Sequence, residues 1–94
     1  VSQTHWLIEA EVMPKQGVND PQGEAVKGGL DALGFGGIER VRCGKVIRIL
    51  VAAASARAAK DAGIAMCDKL LANPVIEEYS ISVSAVAESV NNER

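Results

Sequence analysis

From Thr4 to Met13 the chain alternates, with Trp6, Ile8, Ala10 and Val12 on one parity and His5, Glu9 and Glu11 on the other. Leu7 alone breaks the polar side. Period two marks a strand with one buried face. Pro14-Lys15-Gln16-Gly17 follows with turn chemistry, so the strand cannot run far beyond it. After Asp20-Pro21 the period changes. Val26, Leu30 and Leu33 recur at helical spacing and predict a helix over about 21–33. Asp20 stands at its N-cap and Pro21 at the first helical position. Gly34 falls where a left-handed residue closes a helix, which lets Phe35 fold back on Leu30. The pair Gly28-Gly29 costs such a helix about 1 kcal/mol per glycine relative to alanine, and a close helix-on-sheet contact is the expected compensation.

From Ile38 to Ala53 one long strand is expected. Val41, Cys43, Ile47, Ile49 and Val51 share a parity, and Arg40, Arg42 and Arg48 share the other. Lys45 falls on the apolar parity directly after Gly44, which predicts a bulge, kink or tight turn there. A kink gives the order βαβαβ with a long bent central strand, and a reversal gives the ferredoxin-like βαββαβ. No Asn-Gly or Asp-Gly stands at this point, so the kink is favoured. Ser55 is the expected N-cap of a second helix over about 56–72, with Ala59, Ala62, Gly63, Met66 and Leu70 as its apolar face. Ile64 and Leu71 fall on its charged side with Cys67 at the edge, a candidate contact with a second chain. Pro74 ends this helix. Tyr79, Ile81, Val83 and Ala85 then alternate with Glu78, Ser80, Ser82 and Ser84 as a last strand, and 90–94 should fray. The expected fold is a two-layer α+β sandwich in a single domain, residues 1–94 with a core of about 5–85. Two helices lie on one face of a three- to four-stranded, mainly antiparallel sheet.

Composition sharpens this picture. Ninety-four residues form one domain but a marginal core, which association would help. Aromatic residues make up only 3%, so Val, Ile, Leu and Ala must build the interior. The net charge of −2 argues against a nucleic-acid or anionic-membrane partner. No apolar run reaches the roughly 20 residues of a membrane span, and the first residues lack the pattern of a secretory signal, so a cytoplasmic protein is expected. Cys43 and Cys67 lack CxxC spacing and are expected as reduced, mostly buried thiols.

A catalytic site needs complementary groups held together, and the sequence offers few. His5 is the only histidine and lies on the polar parity of its strand. The glycine clusters lack the context of a phosphate-binding loop. Arg40, Arg42, Lys45 and Arg48 form the strongest electrostatic feature, three of them expected on one sheet face. They read either as a solvated face balanced by Glu9 and Glu11 or as a contact for carboxylates or phosphates.

Three ordered stretches carry a more specific signal. These are Gly17-Val18-Asn19-Asp20-Pro21-Gln22-Gly23, Val41-Arg42-Cys43-Gly44-Lys45 and Leu70-Leu71-Ala72-Asn73-Pro74-Val75-Ile76-Glu77. With Leu33-Gly34-Phe35 between the first two, the chain resembles the PurS family, the small subunit of bacterial and archaeal phosphoribosylformylglycinamidine synthase. The resemblance spans about His5 to Val83 and is weakest over the alanine-rich 51–65.

The resemblance implies a non-catalytic protomer that forms a homodimer or a dimer of dimers. It would bridge a glutaminase subunit, PurQ, and an ATP-using synthetase subunit, PurL, in de novo purine biosynthesis. Ammonia from glutamine would then serve the conversion of formylglycinamide ribonucleotide to formylglycinamidine ribonucleotide. ATP and Mg would belong to the complex, and no cofactor is assigned to this chain. The motif or partner-contact positions it implies are Asp20, Pro21, Gly23, Arg42, Gly44, Lys45, Asn73 and Pro74, with Arg42 and Lys45 the better contact candidates. Two readings compete with it. A ferredoxin-like regulatory module binding a small ligand would fit the fold. An acylphosphatase would fit the size, but Gln16-Gly17-Val18 is followed by Asn19-Asp20, without a phosphate-binding arginine.

Overall fold

The computed structural model describes residues 4–86. Strand β1 (Thr4–Pro14) leads to helix α1 (Pro21–Ala32), strand β2 (Lys45–Ala53), helix α2 (Ala56–Met66) and strand β3 (Glu77–Val86). The expected α+β class and βαβαβ order are borne out. The sheet has three strands in the order β2-β1-β3, all antiparallel. The expected fraying at 90–94 lies outside the described residues.

The alternation of β1 sets the core. Ile8, Ala10 and Val12 are buried to within 1% exposure, and Trp6 on the same face donates from its indole Nε1 to the Ala53 carbonyl at 3.1 Å. Cross-strand neighbours continue this face: Ile8 lies opposite Ile49 and Val83, and Ala10 opposite Ile47 and Ile81. Helix α2 covers it, packing against all three strands. The approach is close because Gly63 faces β1: a β-carbon there would stand 3.0 Å from Ile8 Cγ2. Ser55 caps α2 as expected, its hydroxyl accepting from the Ala58 amide at 3.0 Å.

Three expectations need correction. First, β2 begins at Lys45 rather than Ile38. Its register places Lys45 opposite Val12. Two residues further, Cys43 would face Pro14, which has no N–H to offer and where β1 ends. Residues 38–44 leave the sheet, so Arg40 and Arg42 do not share a sheet face with Arg48.

Second, Leu70, expected on the apolar face of α2, is 82% exposed, while Cys67, expected at the edge of the charged side though as a mostly buried thiol, is fully buried. The last turn of the helical segment, Cys67–Leu71, is a π-turn in which the Ala72 amide donates to the Cys67 carbonyl at 3.0 Å. The extra residue shifts the helical phase by about 100°. The buried stripe therefore runs Ala59, Gly63, Cys67, Ala72, while Ile64 and Leu71 are half-buried.

Third, Gly28 and Gly29 meet nothing: β-carbons at both would have open space for 4 Å. Helix α1 projects from the end of the sheet, giving a molecule of 57 × 30 × 18 Å.

Candidate functional site

The three sequence stretches converge at the end of the sheet where β1 stops and β2 starts. Asp20 is the hinge of this cluster. Its Oδ1 accepts from the Gly23 amide at 3.1 Å, the N-cap bond of α1, and its Oδ2 accepts from the Cys43 amide at 2.9 Å. One carboxylate thus caps a helix and pins a segment 23 residues away. These amides, that of Cys43 first and that of Gly23 second, hold the Asp20 carboxyl below the usual carboxylate range. Pro21 follows at the first helical position, exposed, where its missing N–H costs nothing.

Two glycines let the backbones approach. A β-carbon at Gly23 would run into the Val41 carbonyl, and one at Gly44 into the Met13 side chain and the Val12 carbonyl. Gly44 therefore marks the point where the extended segment passes against β1 on its way into β2. That is the kink expected there, and no hairpin forms.

Arg42 is half-buried, and its Nη1 donates to the Pro14 carbonyl at 2.7 Å. Lys15 next along the chain ties in the third stretch, its Nζ donating to the Pro74 carbonyl at 2.7 Å and its amide to the Ile76 carbonyl at 2.8 Å. Asn73 organises that turn. Its Oδ1 accepts from the Val75 amide at 3.0 Å, and its own amide donates to Glu77 Oε1 at 2.7 Å. Asn73 and Pro74 are exposed, as is Lys45. Six of the eight motif positions therefore take part in this one hydrogen-bonded or close-packed cluster: Asp20, Gly23, Arg42, Gly44, Asn73 and Pro74. Lys15 was missed by sequence reasoning. Its signal was only its position, between the strand-ending Pro14 and the first motif.

A cavity of about 410 Å³ opens beside the cluster, lined by residues 16–20, Glu24 and residues 40–42. Its walls mix carboxylates with guanidinium groups and hold neither a thiol, a histidine nor a serine. The described residues contain no group of three or more metal-ligating side chains. Of the remaining cations, Arg48 lies 3.6 Å from Glu9 across the strands, an exposed pair. Glu11 faces Val46 instead of a cation. The two thiols are free: Cys43 is half-buried, and burial pushes the Cys67 thiol above its ordinary value.

A family model described as "PurS: Phosphoribosylformylglycinamidine (FGAM) synthase" matches residues 7–85. The chain belongs to the PurS family. It is 49% identical over 75 residues to the phosphoribosylformylglycinamidine synthase subunit PurS of Archaeoglobus fulgidus, covering 80% of this chain and 94% of that one. The crystal structure of PurS from Methanocaldococcus jannaschii superposes with a TM-score of 0.76 at 33% identity, covering 87% of this chain and 99% of that one. A chain in the structure of PurLQS from Thermotoga maritima superposes with a TM-score of 0.77 at 30% identity, covering 85% and 98%. All three segments of the cluster fall inside the matched residues. The family is the small subunit of the synthase, so the chain is a required but non-catalytic part of a ligase of purine biosynthesis.

Proposed function

We propose that this PurS protomer acts as a connector, seating a PurQ-type glutaminase and a PurL-type synthetase so that ammonia passes between them without entering bulk water. Ammonia released into water at neutral pH is protonated and loses the lone pair that the synthetase reaction needs. Fixed geometry between two active sites therefore serves the chemistry without contributing a reacting group. The observation that carries this reading is the cluster itself, in which the segments that identify the family are spent on holding one another in place. The named Thermotoga assembly, PurLQS, agrees with partnership to two larger subunits. ATP and Mg belong in this reading to the synthetase. The protomer works as a homodimer or dimer of dimers, in the cytoplasm. Among the described residues no helix is long and apolar enough to cross a membrane.

Within the cluster the roles divide. Asp20, Pro21, Gly23 and Gly44 shape the turn, and Arg42 locks it through Pro14. Lys45 and the exposed Asn73-Pro74 turn present surface to a partner, and Ile64 and Leu71 are available to a further protomer. Replacing the exposed Lys45 by glutamate is expected to weaken binding to the two larger subunits by at least tenfold, while circular dichroism and sedimentation of the isolated protein stay unchanged. Undiminished glutamine-dependent turnover in the assembly reconstituted with this variant would exclude this contact surface.

A further inference from the structure

Opposite charges that share a small cavity can neutralise each other by direct pairing. The cavity of about 410 Å³ beside the cluster is walled by two carboxylates, Asp20 and Glu24, and two guanidinium groups, Arg40 and Arg42, so its formal charge sums to zero. Yet no ion pair joins any of the four among the described residues. Glu24 and Arg40 make no side-chain hydrogen bond there either. Arg42 engages only Nη1, on the Pro14 carbonyl, and its other guanidinium N–H groups have no partner among those residues. Asp20 is held below the usual carboxylate range and is ionised at neutral pH.

The backbone holds the acidic and basic walls at a fixed separation. Glu24 stands in the first turn of α1, its amide donating to the Asp20 carbonyl at 3.0 Å. Arg40 and Arg42 stand on the segment whose Cys43 amide donates to Oδ2 of the same aspartate at 2.9 Å. Gly23 lets these two backbones meet at Val41. The loop before Asp20 closes the cavity. Its turn is set by the Val18 amide donating to the Lys15 carbonyl at 3.2 Å, with Gly17 at φ +85°. The amides of Gln16, Gly17 and Asn19 make no backbone-to-backbone hydrogen bond with a described residue, and the Gln16 and Asn19 carboxamides are exposed beside them. The volume lies at the lower end of the roughly 300–1,000 Å³ of small-molecule sites.

We propose that this cavity binds the zwitterion of a free α-amino acid, its carboxylate on the Arg40 and Arg42 guanidinium groups and its ammonium on Glu24. Guanidinium groups bind carboxylates in a fork, and the ammonium needs an acceptor of opposite charge. A phosphate would gain the two arginines but stand against two carboxylates. A simple amine would meet the converse. Only a ligand that carries both signs on neighbouring atoms satisfies both walls, and the loop amides and carboxamides can receive its polar side chain. Exposed charge pairs are weak one by one, which sets the affinity in the millimolar range. The site stands apart from the connector reading, and only the choice of L-glutamine as probe rests on that reading, since it is the amino acid that a glutaminase consumes.

The test is a heteronuclear NMR titration of the isolated full chain at pH 7 and constant ionic strength. L-glutamine is expected to shift the amides of Gly17, Glu24 and Val41 along a saturable curve. N-acetyl-L-glutamine, which lacks the ammonium, and L-glutaminamide, which lacks the carboxylate, should each bind at least tenfold more weakly. Inorganic phosphate should not saturate the same amides. The variants E24Q and R40Q alter exposed side chains without a partner in the fold, so both should keep the wild-type circular dichroism and each lose at least tenfold in glutamine affinity. Three results would overturn the site: no saturable shift with glutamine, phosphate saturating those amides as tightly as glutamine, or E24Q and R40Q binding glutamine like the wild type. None of them would touch the connector reading, which turnover in the assembly tests separately.

Discussion

At the scale of single residues, Asp20 does the most. Both of its oxygens accept backbone N–H bonds, and the two donors come from different motifs. Asparagine at this position keeps one acceptor but turns a donor toward the other amide, leaving the Cys43 N–H or the Gly23 N–H without a partner. Asp20→Asn is therefore expected to lower Tm at pH 7. The pH dependence follows from the depressed folded-state value. The stability that the carboxylate contributes is fully present above its unfolded value of about 3.9 and is lost as pH falls through the lower folded value. Thermal melts from pH 7 down to pH 3 should show the wild type and the variant converging at the acid end. A constant gap across that range would mean that the carboxylate charge is not what holds the turn.

Gly44 acts by lacking a side chain. Gly44→Ala forces a methyl group against the Val12 carbonyl and Met13, a clash that overpacking data place at about 1–3 kcal/mol. Urea titration should show the midpoint shifted with an unchanged slope. The sequence made Asp20, Pro21 and Gly44 legible because capping and kink chemistry are local. Lys15 and the Arg42–Pro14 bond were not legible, since both join residues that only the finished sheet brings together.

At the scale of elements, β1 was readable from its alternation and supplies the core in the predicted phase. Ile8 is its most enclosed large side chain, flanked by Ile49 and Val83 and overlaid by α2. Ile8→Ala is expected to cost about 2–5 kcal/mol by equilibrium denaturation. Breaking the exposed Arg48–Glu9 pair should cost less than about 1 kcal/mol in the same experiment. The second helix was legible in its start and its face but not in its end. A π-turn leaves no mark on a hydrophobic pattern except a change of phase, and Leu70 followed by Leu71 satisfied either phase. The strand expected over 38–44 failed for a related reason. Alternation reports what a segment is suited to, and pairing needs a neighbour that β1, ending at Pro14, does not provide. The helix face of α1 and its two glycines likewise predicted a contact that the single protomer does not make.

At the scale of the whole molecule, these unmet expectations share one direction: segments suited to burial stand exposed in the protomer, on the projecting helix α1 and along the edge strand β2. The fold class and the βαβαβ order of elements followed from periodicity, because one chain's own core enforces them. The surface that meets other chains left only a resemblance to a family and an excess of exposed apolar positions. The family assignment, matched over residues 7–85, says which assembly those surfaces serve. The connector role requires that this chain join two catalytic subunits and perform no chemistry of its own. Its most direct test is turnover of formylglycinamide ribonucleotide by the glutaminase and synthetase subunits, with and without this protein, driven by glutamine or by added ammonia. Omitting the chain should abolish the glutamine-driven reaction and leave the ammonia-driven one largely intact, whereas glutamine-driven turnover that persists without it would contradict the connector role.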